Sequence, residues 1–454
     1  MHAIKTRFFG RQRILQDLVE GLLAPTQPLD FSLVGPKLVG KSRLLTYLAS
    51  EEGPLLGQDP AGWRPQQFKD EHLIRVAHYN CEWPDAQAHL TRFIYQRLRS
   101  QLENEKNLGL DWSSVNAAAS PGLQIEQIVQ QINQKQLRLV LILDNFDRVF
   151  RSETITPDIV NELRPLTNEI GLVVATDKPL HDLNKTIAAS PLFNVMHQHF
   201  VGLLEPDAAR AWVDAYQERL PLTDEVKTEM LDIVGGHPFL LARINDILME
   251  MQPLVEEGQP LGKERLPLLR LRLTEHGRRL FEMNWRKFQE PEGQVALPLV
   301  KQLAQSPIRI GQVPTEQGMA LNWLINQAMV AYGQNHYRLF SPLFAVFLKE
   351  QLDLEGPASE APAKEVTAKQ ADMFDQLSPK EAQLLRYFQQ HAHIVISIEQ
   401  LLGDVWNQPQ SSPRRVQEAI RRLRNSLNQQ TPPLGVIENE RGVGYRYIPT
   451  DRSA

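Results

Sequence analysis

Cysteine is all but missing from this chain. Of 454 residues only Cys81 carries a thiol, which excludes an internal disulfide and any multi-cysteine zinc site. Long apolar runs are missing too. None approaches the ~20 residues needed to span a bilayer, and the opening Met1-His2-Ala3-Ile4-Lys5-Thr6-Arg7 has no apolar core of a signal peptide. A cytoplasmic protein with no membrane association is the expectation. There is no large charge excess either: 49 Lys and Arg stand against 54 Asp and Glu, a net of −5. That average alone argues against a nucleic-acid partner. The length allows roughly three domains.

What is present begins with Gly35-Pro36-Lys37-Leu38-Val39-Gly40-Lys41-Ser42, the spacing G-x-x-x-x-G-K-S of a Walker A loop. The glycines let the backbone curl so that successive N–H groups face phosphate oxygens. Lys41 then reaches the β- and γ-phosphates, and the Ser42 hydroxyl is placed for Mg²⁺. The apolar run Phe31 to Val34 precedes it as a buried strand, and a helical pattern from Ser42 to Leu48 follows. Strand, loop and helix together are the context a P-loop requires. Gly35, Pro36, Gly40, Lys41, Ser42 and Arg43 are thus candidate nucleotide contacts.

Glu51 to Glu71, rich in Gly, Pro and Gln, reads as an insertion. Leu73 to Asn80 reads as a second strand, and a helix is expected from about Ala86 to Leu102. The continuous apolar strand Leu137 to Leu143 ends in Asp144, followed by Asn145 and Asp147. An apolar strand with a terminal carboxylate is the Walker B pattern, and Asp144 is a Mg²⁺ candidate with Ser42. Asn145 can orient water but cannot accept its proton. Gly171 to Asp177 is another buried strand, and Thr176 at its end suits a turn.

With Phe8-Phe9-Gly10-Arg11-Gln12 shortly before the Walker A loop, this half of the chain resembles STAND and AAA+ ATPases. The resemblance implies an α/β P-loop NTPase with a parallel sheet, a helical lid and a winged helix. It places Phe9, Gly10 and Arg11 along the adenine side. Gly236-His237-Pro238 resembles the lid's G-x-P motif, making Pro238 an adenine-side residue and His237 either a phosphate contact or a helix-capping or lid-packing one. Asn145 departs from the family's usual glutamate, so the resemblance makes Asp147 the alternative base and implies slow hydrolysis. It places Thr176 at the sensor-1 position, either a γ-phosphate sensor or a strand-end turn residue, and Lys178 near where an arginine is often found. Leu266 to Leu352 looks like a winged helix, with Pro298 in the first turn of a helix reaching Ala304.

The last stretch is different. Ser412-Pro413 opens a helix in which Val416, Ile420, Leu423 and Leu427 form an apolar face and arginines cover the rest. From Leu377 to Thr450 nine basic residues face six acidic ones, a net of +3 inside an acidic chain. Leu377-Ser378-Pro379-Lys380-Glu381, Glu399-Gln400-Leu401-Leu402, Val405-Trp406, Ile420-Arg421-Arg422-Leu423-Arg424 and Arg441-Gly442-Val443-Gly444-Tyr445-Arg446 together resemble an OmpR/PhoB-type winged helix-turn-helix. The resemblance implies double-stranded DNA as partner. It makes Arg422 a base reader, Gln417 and Glu418 variable readout positions, and Arg414, Arg415, Arg421, Arg424 and Tyr445 phosphate-facing. Trp406 is either a phosphate contact or core, and Arg441 a minor-groove arginine.

The expected division is 1–200 ATPase core, 201–262 lid, 263–353 regulatory winged helix, 354–371 linker and 372–454 DNA-binding domain. The expected function is an ATP/ADP-controlled, DNA-binding transcriptional regulator with slow ATPase activity, Mg²⁺ as cofactor and ATP-dependent self-association. The alternatives are an ATPase acting in DNA transactions (replication initiation, transposition or anti-phage defence), targeted by its C-terminal domain, and a binding module in which nucleotide is structural.

Overall fold

The computed structural model describes residues 7–59, 61–151, 162–183, 195–216, 220–252, 259–333, 335–354, 379–390, 395–405, 412–428, 435–440 and 444–449. The chain divides into two compact units, Met1–Leu354 and Glu355–Ala454. Among the described residues no helix is long and apolar enough to cross a membrane.

The first unit is built on a five-stranded parallel sheet of β1 (Phe31–Val34), β2 (Ile74–Asn80), β3 (Arg138–Asp144), β4 (Gly171–Thr176) and β5 (His197–Phe200), in the order β2-β3-β4-β1-β5. The alternation along β3 shows why it lies inside. Leu139, Leu141 and Leu143 enter one core with α4 (Leu90–Glu103) and α5 (Pro121–Gln134). Val140 and Ile142 enter the other with α1 (Gln12–Leu22) and α2 (Lys41–Leu48). A strand apolar on both faces is what a helix-covered parallel sheet demands. The pairings Asn80 with Asp144 and Val34 with Thr176 align the carboxyl ends of β1, β2, β3 and β4. The chain leaves β1 for the far edge at β2, so the crevice at those carboxyl ends is the switch point where ligands bind in open α/β sheets. This strand order, with a Walker A loop after β1 and Asp144 ending β3, is a P-loop NTPase fold.

Three expectations needed adjustment. The helix expected from Ala86 to Leu102 is two, α3 (Pro84–Ala88) and α4, separated at His89, whose backbone leaves the helical region. The stretch expected as an insertion is packed: Phe68 is buried, and the buried Arg64 donates to the carbonyls of Gly57 (2.7 Å) and Leu55 (3.4 Å). Pro298 does not open a helix. It lies inside α11 (Pro291–Gln305), where Pro291 occupies the first turn.

Beyond β5 and the short α6 (Leu180–Leu183), the helices α7 (Pro206–Ala215), α8 (Asp224–Val234) and α9 (Pro238–Met251) share one apolar core with α10 (Leu266–Lys287), α11, α12 (Gly318–Asn326) and α13 (Pro342–Leu354). A small sheet, β6-β8-β7, is formed by β6 (Ile308–Arg309), β7 (Val330–Gly333) and β8 (His336–Leu339). The second unit contains α14 (Pro379–Gln390), α15 (Ile398–Asp404) and α16 (Pro413–Asn428). Its sheet, in the order β10-β11-β9, comprises β9 (Val395–Ile396), β10 (Gly435–Glu440) and β11 (Gly444–Pro449). Three helices and a β10–β11 hairpin make a winged helix. Ser378, Trp406 and Arg441 lie outside the described residues.

Cys81 follows β2, fully buried, its N–H donating to the Asp144 carbonyl at 2.8 Å. Asp30, just before β1, is also buried, and one carboxylate oxygen has no hydrogen-bond partner among the described residues. Burial raises its carboxyl to about 7, against a backbone hydrogen bond from Leu172. An acid whose folded pKa is raised stabilises fully below its unfolded value near 4, and that stabilisation is lost as pH rises through about 7. Thermal unfolding between pH 4 and 8 is expected to show this decline. Asp30→Asn should flatten it and stabilise the protein at pH 8 by about 1–3 kcal/mol; an unchanged or lower midpoint at pH 8 would count against it.

Candidate functional site

The loop after β1 has the backbone its glycines permit. Gly40 has φ 94° and caps α2, a conformation costly for a residue with a Cβ. A Cβ at Gly35 would lie 2.2 Å from the Val201 carbonyl oxygen. The loop start is stitched to the β4 end, where Gly35 N–H donates to Thr176 O at 3.2 Å. Ser42 and Arg43 are exposed at the start of α2, and Arg43 donates to Arg7 O at 2.8 Å.

Lys41 is buried. Its ammonium donates to the carbonyls of Gly35 and Pro36 (3.1 Å) and to Asp177 Oδ1 at 3.1 Å. Lys37 approaches the other oxygen of Asp177 at 4.0 Å. The Walker lysine is therefore held on carbonyl oxygens and a carboxylate. Asp144 is buried at the end of β3 and accepts from Asn145 N–H at 2.9 Å. Asn145 has φ 55°, and its amide donates to Asn80 Oδ1 at 3.1 Å. Asp147 is buried beside Arg148, at 3.9 Å, and Arg148 also meets Glu82 at 3.1 Å.

The segment Phe9-Gly10-Arg11 binds the loop to the helices beyond β5. Phe9 stacks on Trp212 with centroids 5.4 Å apart. The buried Arg11 guanidinium donates to the carbonyls of Leu203 (2.9 Å), Gly202 and Val39 (3.5 Å). Burial lowers its pKa, with Glu205 opposing. Pro238 lies against the loop, 3.8 Å from where a Cβ on Gly40 would stand. His237 is the N-cap of α9, its Nδ1 accepting from Phe239 N–H at 3.3 Å. Burial, with Lys287 and Arg11 adding, pushes its pKa down to about 3. It caps α9 as a neutral ring. Thr176 donates its hydroxyl to Lys178 O at 2.7 Å, forming the turn after β4.

Sequence reasoning missed a charged group next to this loop. Lys287, in the last turn of α10, donates to Gln327 at 2.7 Å. Burial brings its ammonium down to about 8; Asp177 and Glu290 oppose this, and Lys41 and Lys178 add to it. Lys178 pairs with Glu290 at 2.7 Å, joining the tip of β4 to the turn between α10 and α11. Lys41, Lys178 and Lys287 thus share one neighbourhood with the carboxylates of Asp177 and Glu290, and Glu292 and Asp182 also act on Lys178. No spacing in the sequence announces this, because the partners come from separate elements.

In the second unit, Val416, Ile420, Leu423 and Leu427 bury one face of α16 against Leu384, Leu385, Phe388, Leu401 and Leu402. Arg414, Arg415, Gln417, Glu418, Arg421 and Arg422 lie exposed. Arg424 is half-buried. Its guanidinium donates to Ile437 O at 2.9 Å and lies over the Tyr445 ring at 5.6 Å, bracing the wing. Tyr445 is itself 8% exposed and belongs to the core.

Residues 375–447 match the family described as "Transcriptional regulatory protein, C terminal". Over 68 residues the chain is 37% identical to the transcriptional regulatory protein YvrH of Bacillus subtilis (strain 168), covering 15% of this chain and 29% of that protein. The chain thus spans less than a third of that relative's length. Among solved structures it is similar to the Walker-type ATPase PABY2304 of Pyrococcus abyssi, at 14% identity, 75% of this chain, 96% of that one and a TM-score of 0.48. It is also similar to the Aeropyrum pernix ORC2 protein in its ADPNP–ADP complexes, at 13% identity, 78% and 98% coverage and a TM-score of 0.44. At these scores the structural likeness carries no argument, and the P-loop fold rests on this chain's own strand order and loop. The second unit is a winged helix of the transcriptional-regulator C-terminal type, joined in this chain to a P-loop NTPase fold.

Proposed function

We propose that this chain is a DNA-binding transcriptional regulator whose DNA affinity is set by ATP or ADP at its P-loop. The observation that carries the reading is the tip of β4. Asp177 receives the Walker lysine, while the adjacent Lys178 is paired with Glu290. A phosphate that draws Lys41 away leaves Asp177 facing a like charge, and the residue beside it is the tie to the α10–α11 turn. That tie is half-exposed and worth at most about 1 kcal/mol, so it yields easily.

The site fits a Mg²⁺-nucleotide. Gly40 supplies the left-handed turn of the loop and Gly35 its close approach to the Val201 carbonyl, Lys41 is already among acceptors, and Asp144 is a buried carboxylate at the same sheet edge. Ser42 and Asp144 would hold the ion, which neutralises phosphate charge when bound. Phe9, Gly10, Arg11 and Pro238 would line the adenine side. Hydrolysis would be slow, because the Asn145 amide cannot accept a proton. In this reading residues 201–262 act as the lid, 263–353 as the regulatory winged helix and 354–371 as the linker to the DNA-binding domain. ATP-dependent self-association would raise DNA affinity, since one bound module increases the effective concentration of the next.

The test is DNA binding by the full chain over a genomic fragment library with no nucleotide, ADP or a slowly hydrolysed ATP analogue. Selective binding at least about tenfold tighter with the analogue is expected, and it should be lost in Lys41→Ala and Arg422→Ala. Selective binding indifferent to nucleotide and to Lys41 would sink the switch. Glu290→Ala should raise nucleotide-free DNA affinity about two- to fivefold; no change would remove the tie from the mechanism. ADP affinity by calorimetry should fall as pH rises through about 8, where Lys287 loses its proton. Lys287→Met should lower that affinity about tenfold at pH 7 and abolish the pH dependence. An unaltered pH profile in the variant would exclude Lys287 from phosphate contact.

A further inference from the structure

The exposed face of α16 holds one carboxylate among four arginines. Glu418 stands three residues from Arg415 and Arg421 and four from Arg414 and Arg422, spacings that place it amid their side chains on a helix. Its Oε1 accepts from Arg421 Nη2 at 2.9 Å and from Arg422 Nε at 3.3 Å, and its Oε2 accepts from Arg421 Nε at 3.2 Å. These hydrogen bonds hold the Glu418 carboxyl below its ordinary range, so it is ionised wherever the protein is folded near neutral pH.

A carboxylate at that place weakens binding to any duplex through its repulsion from phosphate. It repays this only at a base edge that donates. In the major groove the donors are the amino groups of cytosine and adenine, and adenine places the N7 acceptor beside its amino group, against a carboxylate. Cytosine remains. The guanine paired with it offers O6 and N7, the acceptors an arginine fork matches. A carboxylate already joined to the Arg422 side chain presents one acceptor and a set of donors side by side, the complement of a C·G pair.

We infer that Glu418 is a specificity-determining residue that, together with Arg422, reads a single C·G base pair. This rests on the DNA-binding reading above. Glu418 accepts from cytosine N4 while Arg422 donates to the guanine. The same carboxylate disfavours sites with another base at that position, because there it faces acceptors, a methyl group, or an adenine amino group with the repelling N7 beside it.

The test is selection of randomised duplexes by the full chain, comparing wild type with Glu418→Ala and Glu418→Gln. Wild type is expected to prefer cytosine about tenfold or more at one position of each half-site. Glu418→Ala should reduce that preference to about twofold or less, leave the other positions as they were, and bind unselected DNA more tightly. Glu418→Gln should move the preference at that position towards adenine, which an amide reads with two hydrogen bonds. If Glu418→Ala keeps every base preference and changes only overall affinity, Glu418 is an intrahelical brace and the inference is wrong. If wild type selects no sequence at all, the DNA-binding reading falls with it. Glu418 is exposed, and unchanged thermal unfolding of the variants would show that recognition rather than folding has been altered.

Discussion

The Arg11 guanidinium lies buried against the carbonyls of Val39, Gly202 and Leu203, and most of the P-loop face depends on it. Removing a cation from water is costly unless its donors are satisfied. Here they are satisfied by backbone from the Walker A loop and from the segment that leaves β5. One side chain thereby fixes the distance between the sheet and the helices that follow. Its backbone is unusual as well, since both Gly10 and Arg11 have positive φ. That sharp turn brings Phe9 to Trp212 and α1 under the sheet.

Around this fixed point the charges divide into two kinds. His237 is fully buried and kept neutral, so it can cap α9 without adding a cation. The three lysines act on one another, and besides the carbonyls that hold the buried Lys41 their partners are side chains on separate elements. Rigid pairing to backbone and exchangeable pairing to side chains thus coexist around one crevice. The first sets its shape, and the second is the weaker kind. The exposed Lys178–Glu290 pair belongs to it and contributes at most about 1 kcal/mol.

Much of the fold was legible because its signals are local. The Walker loop, the all-apolar β3 with its terminal Asp144, and the apolar face of α16 each lie within about a dozen residues. The lysine cluster was not legible. Lys287 is one charged residue among many on a 22-residue helix, and only tertiary packing turns it towards Lys41. The position of Pro298 was misjudged for a related reason. Proline is favoured in a first turn, but Pro291 fills that place, and burial of Ala296, Leu299 and Val300 carries the helix through the second proline. Arg424 and Tyr445 also make contacts within the small domain, to the Ile437 carbonyl and in the core, that their motif positions do not announce. The capping box at Ser397 and Gln400 was also overlooked, although its two residues have the required spacing.

Cys81 is the one thiol in the chain, and it sits where β2 ends beside the Asp144 carbonyl. Burial, together with the charges of Asp144 and Asp147, pushes its pKa up. A thiol so protected reacts only when the surrounding strands part. The molecule therefore carries its own reporter group. The rate at which a small alkylating reagent modifies the native protein measures the opening of the Walker B edge, with no label introduced and no second sulfhydryl to confuse the signal.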